Sequence, residues 1–78
     1  MIGMIIRNMR NSVGLTQVEL GQMLSMRDTT ISSYERENSQ PDFETIVKIA
    51  KLCEHEILFK DKDGNILSID EMSVERDY

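Results

Sequence analysis

Ile2, Ile5, Ile6, Met9 and Val13 recur at spacings of three and four, the repeat of a helix with one apolar face. The pattern predicts a first helix over Ile2 to Val13, with Gly14 as its C-terminal stop. Thr16 followed three residues later by Glu19 is a capping box: the hydroxyl takes the third amide and the carboxylate reaches back to the first. A short second helix therefore runs from about Gln17 to Leu24. Ser25-Met26-Arg27 interrupts it. Asp28 then serves as a cap or first-turn acid for a third helix through Arg36, whose apolar edge is Ile31 and Tyr34. Glu37 to Asp42 is turn chemistry, and a fourth helix follows on Phe43, Ile46, Val47, Ile49, Ala50 and Cys53, with Lys48 and Lys51 on its wet side. After Glu54 the period changes. Ile57-Leu58-Phe59 and Ile66-Leu67-Ser68-Ile69 flank an Asp63-Gly64 step, which predicts a hairpin with a tight turn. The chain thus divides into a helical domain over 1–56, a hairpin over 57–69 and an acidic tail without sustained pattern over 70–78.

At 78 residues and 9.0 kDa there is room for one domain. A chain of this size buries only about 60% of its unfolded surface, so its core is thin. The balance of 40% apolar and 29% charged residues is that of a globular domain rather than a disordered one. The single cysteine, Cys53, excludes an intramolecular disulfide framework, and with one histidine, His55, no zinc cluster can be assembled. Asp61 to Asn65 has a passing likeness to a calcium loop, but its glycine comes too early and Met72 stands where a bidentate glutamate belongs. The methionines are read as gap-filling core and terminus rather than a metal box. No cofactor is expected, and with one histidine no nucleophile–base arrangement suggests an enzyme. The apolar start, Met1 to Ile6, is too short for a membrane span and lacks the flanks of a signal peptide, so a reducing, cytoplasmic setting is expected.

The net charge of −5 argues at first against nucleic acid, whose phosphates favour lysine and arginine. Its distribution changes that. Residues 1–36 set four arginines against three carboxylates, a net +1, whereas residues 37–78 set five basic against eleven acidic side chains, a net −6. The first half is free to meet an anionic partner.

Two short helices joined by a three-residue turn and braced by flanking helices describe a helix-turn-helix. The residues sharpen this. Leu15-Thr16-Gln17-Val18-Glu19-Leu20, then Ile31-Ser32-Ser33-Tyr34-Glu35-Arg36 and Pro41, resemble the phage Cro/repressor-type (XRE-like) helix-turn-helix family over roughly residues 4 to 59, without a gap and without reaching the hairpin. The resemblance implies a mainly α fold, a four- to five-helix repressor-like domain here followed by a C-terminal β-hairpin. It also implies roles by position. Gln17 at the start of the second helix matches a phosphate contact. Arg27, Asp28, Thr29, Ser32 and Ser33 match the face that enters the major groove. Asn38, Ser39 and Gln40 match a loop on the sugar-phosphate backbone, and Arg10 with Glu35 matches a structural pair.

The chain departs from the family pattern at four points. Gly21 replaces an alanine, lowering helix propensity by about 1 kcal/mol while permitting close helix approach. Ser25 replaces the glycine of the turn, which costs roughly 1–2 kcal/mol if the backbone stays left-handed. Arg27 stands where a capping serine or threonine is usual, so Asp28 is expected to cap and to start the helix one residue late. Glu37 replaces the glycine after the helix, leaving Asn38 as the expected left-handed residue.

Each proposed contact has a plainer counterpart. Arg27 suits a two-pronged contact with guanine, worth about 1–3 kcal/mol of discrimination, or is a solvated turn residue. Asp28 is a cap, or an acceptor for a cytosine amine. Thr29, Ser32 and Ser33 touch thymine methyls or phosphates, or form plain helix surface. Cys53 is core, and His55 is a solvated loop residue. The hairpin is a flap on the fourth helix, or an edge through which two copies pair by Ile57, Phe59, Ile66, Leu67 and Ile69. The expected function is a sequence-specific transcriptional regulator, a homodimeric repressor reading a palindromic operator in double-stranded DNA. The alternative is an antitoxin-like or adaptor module that uses the same fold to bind a toxin or another protein.

Overall fold

The computed structural model describes residues 1–69; the acidic tail expected over 70–78 lies outside them. Four helices, α1 (Ile2–Ser12), α2 (Gln17–Met23), α3 (Asp28–Glu35) and α4 (Phe43–Leu52), precede a hairpin of β1 (Leu58–Lys60) and β2 (Ile66–Ser68).

Local chemistry sets two of the four helix starts. The capping box at α2 is complete: Thr16 Oγ1 accepts the Glu19 N–H at 3.0 Å, and the Glu19 carboxylate accepts the Thr16 N–H at 2.9 Å. Asp42 caps α4 by accepting the Thr45 N–H at 2.8 Å. The start of α3 corrects an expectation. Arg27 occupies the cap position with an extended backbone (φ −75°, ψ 151°) and no side-chain bond, and Asp28 is already the first helical residue. The Arg27 carbonyl accepts from Thr30 and Ile31, so the helix begins without a capping side chain, and Asp28 contributes only a favourable charge at the positive end.

All four helices end in the same double bond, the Schellman motif. The N–H groups of Leu15, Met26, Asn38 and His55 reach back five residues to Arg10, Gly21, Ser33 and Ala50. The residue before each is left-handed: Gly14, Ser25, Glu37 and Glu54 have φ of 74°, 57°, 61° and 59°. Ser25 therefore keeps the turn geometry of the glycine it replaces. At the end of α3 the left-handed residue is Glu37 and not Asn38, because the Glu37 side chain is anchored elsewhere in the fold, as described below.

Ile6, Met9, Leu20, Ile31, Ile49, Ala50 and Cys53 form one buried cluster, with one or more from every helix. Cys53 is fully buried, and burial pushes its thiol pKa up. Of the methionines expected to fill the core, Met9 is buried, but Met23 is half exposed because it sits on the outer side of α2. His55 is exposed, with Nδ1 2.7 Å from the Cys53 carbonyl.

The strands pair antiparallel with Leu58 opposite Ser68, Phe59 opposite Leu67 and Lys60 opposite Ile66. The tight turn expected at the Asp63-Gly64 step is present, with Gly64 at positive φ. Asp61 and Asn65 pair, leaving a three-residue loop in which the Gly64 N–H donates to the Asp61 carbonyl and Gly64 supplies φ 90°. The Asp61 carboxylate fixes this loop by accepting from the backbone of Asp63 and Asn65 and from the Asn65 amide.

Within the single chain, the hairpin distributes the five residues expected at a dimer face over both of its sides. Side chains alternate along a strand, so Ile57, Phe59, Leu67 and Ile69 share one side and Leu58, Lys60, Ile66 and Ser68 the other. Ile69 is buried and Ile57 packs on the core, both within the same chain, beside Val47 and Ala50 of α4. The Phe59 ring extends this contact to Phe43, with centroids 6.5 Å apart. Ile66 lies on the opposite face. The five residues expected on one interface are thus split between an intramolecular seam and two exposed surfaces.

Candidate nucleic-acid interface

The second and third helices form the most extensive contact between elements of the fold. Gly21 makes this possible: a Cβ there would stand 2.7 Å from the Met26 carbonyl, so the turn runs directly over the helix. On α3, Ile31 and Glu35 face inward and are buried, with Tyr34 half-buried beside them. A helical period then turns Asp28, Thr29, Ser32 and Ser33 outward. Asp28 and Thr29 are exposed, and Ser32 and Ser33 are half-buried. An exposed arginine flanks the helix at each end, Arg27 at its start and Arg36 at its finish.

What holds this face in place is a buried carboxylate. Glu35 accepts from Arg10 Nε at 2.6 Å and Arg10 Nη2 at 3.0 Å, a two-pronged pair whose acid side chain is fully buried. Gln17 Nε2 donates to the same carboxylate at 3.1 Å, and Arg7 Nε approaches it at 3.4 Å from the solvent side. Arg10 Nη1 donates to the Leu15 carbonyl at 2.8 Å. Burial alone would push the Glu35 pKa up. The bonds from Arg10 and Gln17, the Arg10 charge and the bond from Arg7 outweigh it and hold the carboxyl below its ordinary range. One carboxylate thereby joins α1, α2 and α3.

A second carboxylate secures the end of α3. Glu37 accepts the Gly3 N–H at 3.3 Å and pairs with the amino group of Met1, so a side chain following α3 caps the start of α1. Gly3 is required for this contact: a Cβ would stand 2.6 Å from the carbonyls of Tyr34 and Glu35. The Ser33 and Ser39 hydroxyls lie 2.8 Å apart and tie the outer face of α3 to the loop that follows.

The residues of this arrangement fall within a recognised pattern, since a family model described as helix-turn-helix matches residues 6–54. The chain belongs to the repressor-type (XRE-like) helix-turn-helix family. A curated relative, the HTH-type transcriptional regulator ImmR of Bacillus subtilis (strain 168), is 31% identical over 51 residues, covering 65% of this chain. The match spans 40% of that relative's length. No solved structure matches the chain. Among the described residues no helix is long and apolar enough to cross a membrane.

Within this helix-turn-helix unit, Arg27, Asp28, Thr29, Ser32 and Ser33 come together on the outward side of α3, with exposed Asn38, Ser39 and Gln40 following it. Gln17, expected to hold a phosphate, has its carboxamide engaged by Glu35 instead of standing free. Arg36 was assigned no contact in the sequence, although the predicted third helix ran through it. Its signal was the spacing: it lies four residues after Ser32 and seven after Thr29, on the same helical stripe.

Proposed function

We propose that this helix-turn-helix protein is a DNA-binding transcriptional regulator that acts as a homodimer, inserts α3 into the major groove at each half of a palindromic operator and represses by occupying it. The observation that carries the reading is the outward face of α3, small and polar between two exposed arginines and held from behind by the buried Glu35 cluster. Small side chains let the helix sit deep in the groove. Arg27 offers the planar fork that matches guanine O6 and N7, and Arg36 offers a charge to the adjacent phosphate. The resemblance of residues 6–54 to a family that includes a transcriptional regulator supports the same reading.

Gel shifts and footprinting on DNA around the protein's own promoter test it. The expected result is protection of two half-sites about 34 Å apart, weakening as salt rises. Absence of protection at low salt overturns the reading and leaves the alternative, an antitoxin-like or adaptor module whose acidic second half docks on a basic protein. Arg27→Ala should lower specific affinity by about 1–3 kcal/mol while changing non-specific affinity much less. Equal losses on both DNAs would make Arg27 a phosphate contact only.

A further inference from the structure

We propose that two copies of the chain join through the free edge of β1, antiparallel and centred on Leu58, so that Glu56 of each copy lies opposite Lys60 of the other. The proposal rests on the dimer reading above and specifies the surface and register.

The argument starts from which backbone groups face outward. Ile69 N–H donates to the Ile57 carbonyl at 3.1 Å and Asp61 N–H to the Asn65 carbonyl at 2.9 Å, at either end of the β1–β2 register. Hydrogen-bonded and non-bonded pairs alternate in an antiparallel ladder, so Ile57, Phe59 and Asp61 turn their N–H and C=O toward β2. Glu56, Leu58 and Lys60 turn theirs away. Among the described residues the sheet has two strands, and no strand lies on that side of β1. Such an edge is a template for a further strand. Its side chains suit burial, since Leu58 is 48% exposed and Phe59 51%, with exposed Phe43 beside the latter.

Three self-pairings bring the outward backbone groups of β1 itself, those of Leu58 and Lys60, into register. Lys60 opposite Lys60 places like charges in direct contact. Leu58 opposite Lys60 sets an ammonium against an aliphatic side chain and moves the only balancing pair, Glu56 with Lys62, into the turn. Leu58 opposite Leu58 leaves no mismatch. On one face Glu56, Leu58 and Lys60 meet Lys60, Leu58 and Glu56 of the second copy, an apolar centre between two ion pairs. On the other face Ile57 meets Phe59 twice. The segment Glu56-Ile57-Leu58-Phe59-Lys60 is therefore charge-complementary to its own reversed copy, whereas β2 carries no charge with which to fix a register. The result is a four-stranded sheet in place of two marginal hairpins.

Charge swaps test this at exposed positions where folding is not at stake. In sedimentation equilibrium the wild-type chain should dimerise. Glu56→Lys alone and Lys60→Glu alone should each weaken the homodimer about tenfold or more, since every pair becomes like-charged. An equimolar mixture of those two variants should recover a heterodimer, and the double variant should recover the homodimer. Leu58→Cys should form an interchain disulfide readily on mild oxidation and Phe59→Cys should not, because only the former faces itself. A wild-type dimer indifferent to both swaps would overturn this interface while leaving the dimer reading intact. A wild-type monomer both free and on operator DNA would overturn the dimer itself. Crosslinking by Phe59→Cys and not by Leu58→Cys would overturn the register.

Discussion

A single carboxylate decides how α3 is presented. Glu35 has no solvent-exposed side-chain surface, and the Arg10 side chain that binds it is 12% exposed. A buried ion pair contributes little net stability when it is intact, but removing one member leaves the other charged and unpartnered. Glu35→Gln should therefore destabilise the fold by about 3 kcal/mol in urea unfolding at neutral pH. The pH dependence has a definite sign. Because the folded-state pKa of Glu35 is lowered, its contribution is complete above the ordinary glutamate range and is lost as pH falls through the lowered value. Glu19, Glu37, Asp42 and Asp61 are lowered too, each by hydrogen bonds, so the wild-type chain loses stability over the same acidic interval. The difference between wild type and Glu35→Gln isolates the buried group: it should shrink as pH drops below about 4.5. A constant difference down to the acid transition would show that the carboxylate is not ionised in the fold. The Arg10–Glu35 pairing follows the family resemblance, but the convergence of Gln17 and Arg7 on one oxygen depends on how three helices meet, which no local pattern encodes.

At the scale of elements, the helix ends carry most of the information and most of the surprises. Starts at Gln17 and Phe43 were legible because Thr16, Glu19 and Asp42 cap through bonds spanning three residues. Ends were less legible because three of the four left-handed residues are Ser25, Glu37 and Glu54 rather than glycine. Glu37 takes that conformation while bonded to the start of α1, a tertiary contact that outweighs the local preference for Asn38. Ser25 has no such compensation. Ser25→Gly should stabilise the domain by about 0.5–1 kcal/mol, the cost of a left-handed side chain less the extra unfolded-state freedom of glycine, read as a rise in the thermal midpoint. Gly21 sets two effects against each other. Helix propensity favours Gly21→Ala by about 1 kcal/mol, but the added Cβ would stand 2.7 Å from the Met26 carbonyl, a backbone atom that cannot move without opening the turn. Sterics should prevail: Gly21→Ala lowers the melting temperature and weakens DNA binding together. A rise in melting temperature would show that the turn relaxes freely.

Across the whole molecule the acidic total and the proposed function are reconciled by segregation. Residues 1–36 carry a net +1, and most of the carboxylates on or beside α1 to α3 are absorbed locally: Glu35 by arginines, Glu19 in a cap and Glu37 at the start of α1. The strand pattern showed that a hairpin exists, but which of its faces meets α4 depends on how the chain leaves Cys53, so Ile57 and Ile69 could not be assigned to the core from alternation alone. Residues 1–36 carry few free cations, and this limits how much binding can come from counterion release. Arg7 and Arg10 are drawn to Glu35, leaving Arg27 and Arg36 exposed around α3. If Arg36 meets a phosphate in each half-site, its removal lowers the slope of log K against log salt by about 1 per protomer, while Arg27, reading a base, changes affinity with little effect on slope. Arg36→Ala should therefore weaken binding to operator and to unrelated DNA alike and flatten the salt dependence by about 2 for a dimer. Titrations from low to moderate salt on both DNAs measure this directly. An unchanged slope would place Arg36 away from the backbone and shift the electrostatic burden to the loop at Asn38, Ser39 and Gln40, whose neutral donors give affinity without a salt signature.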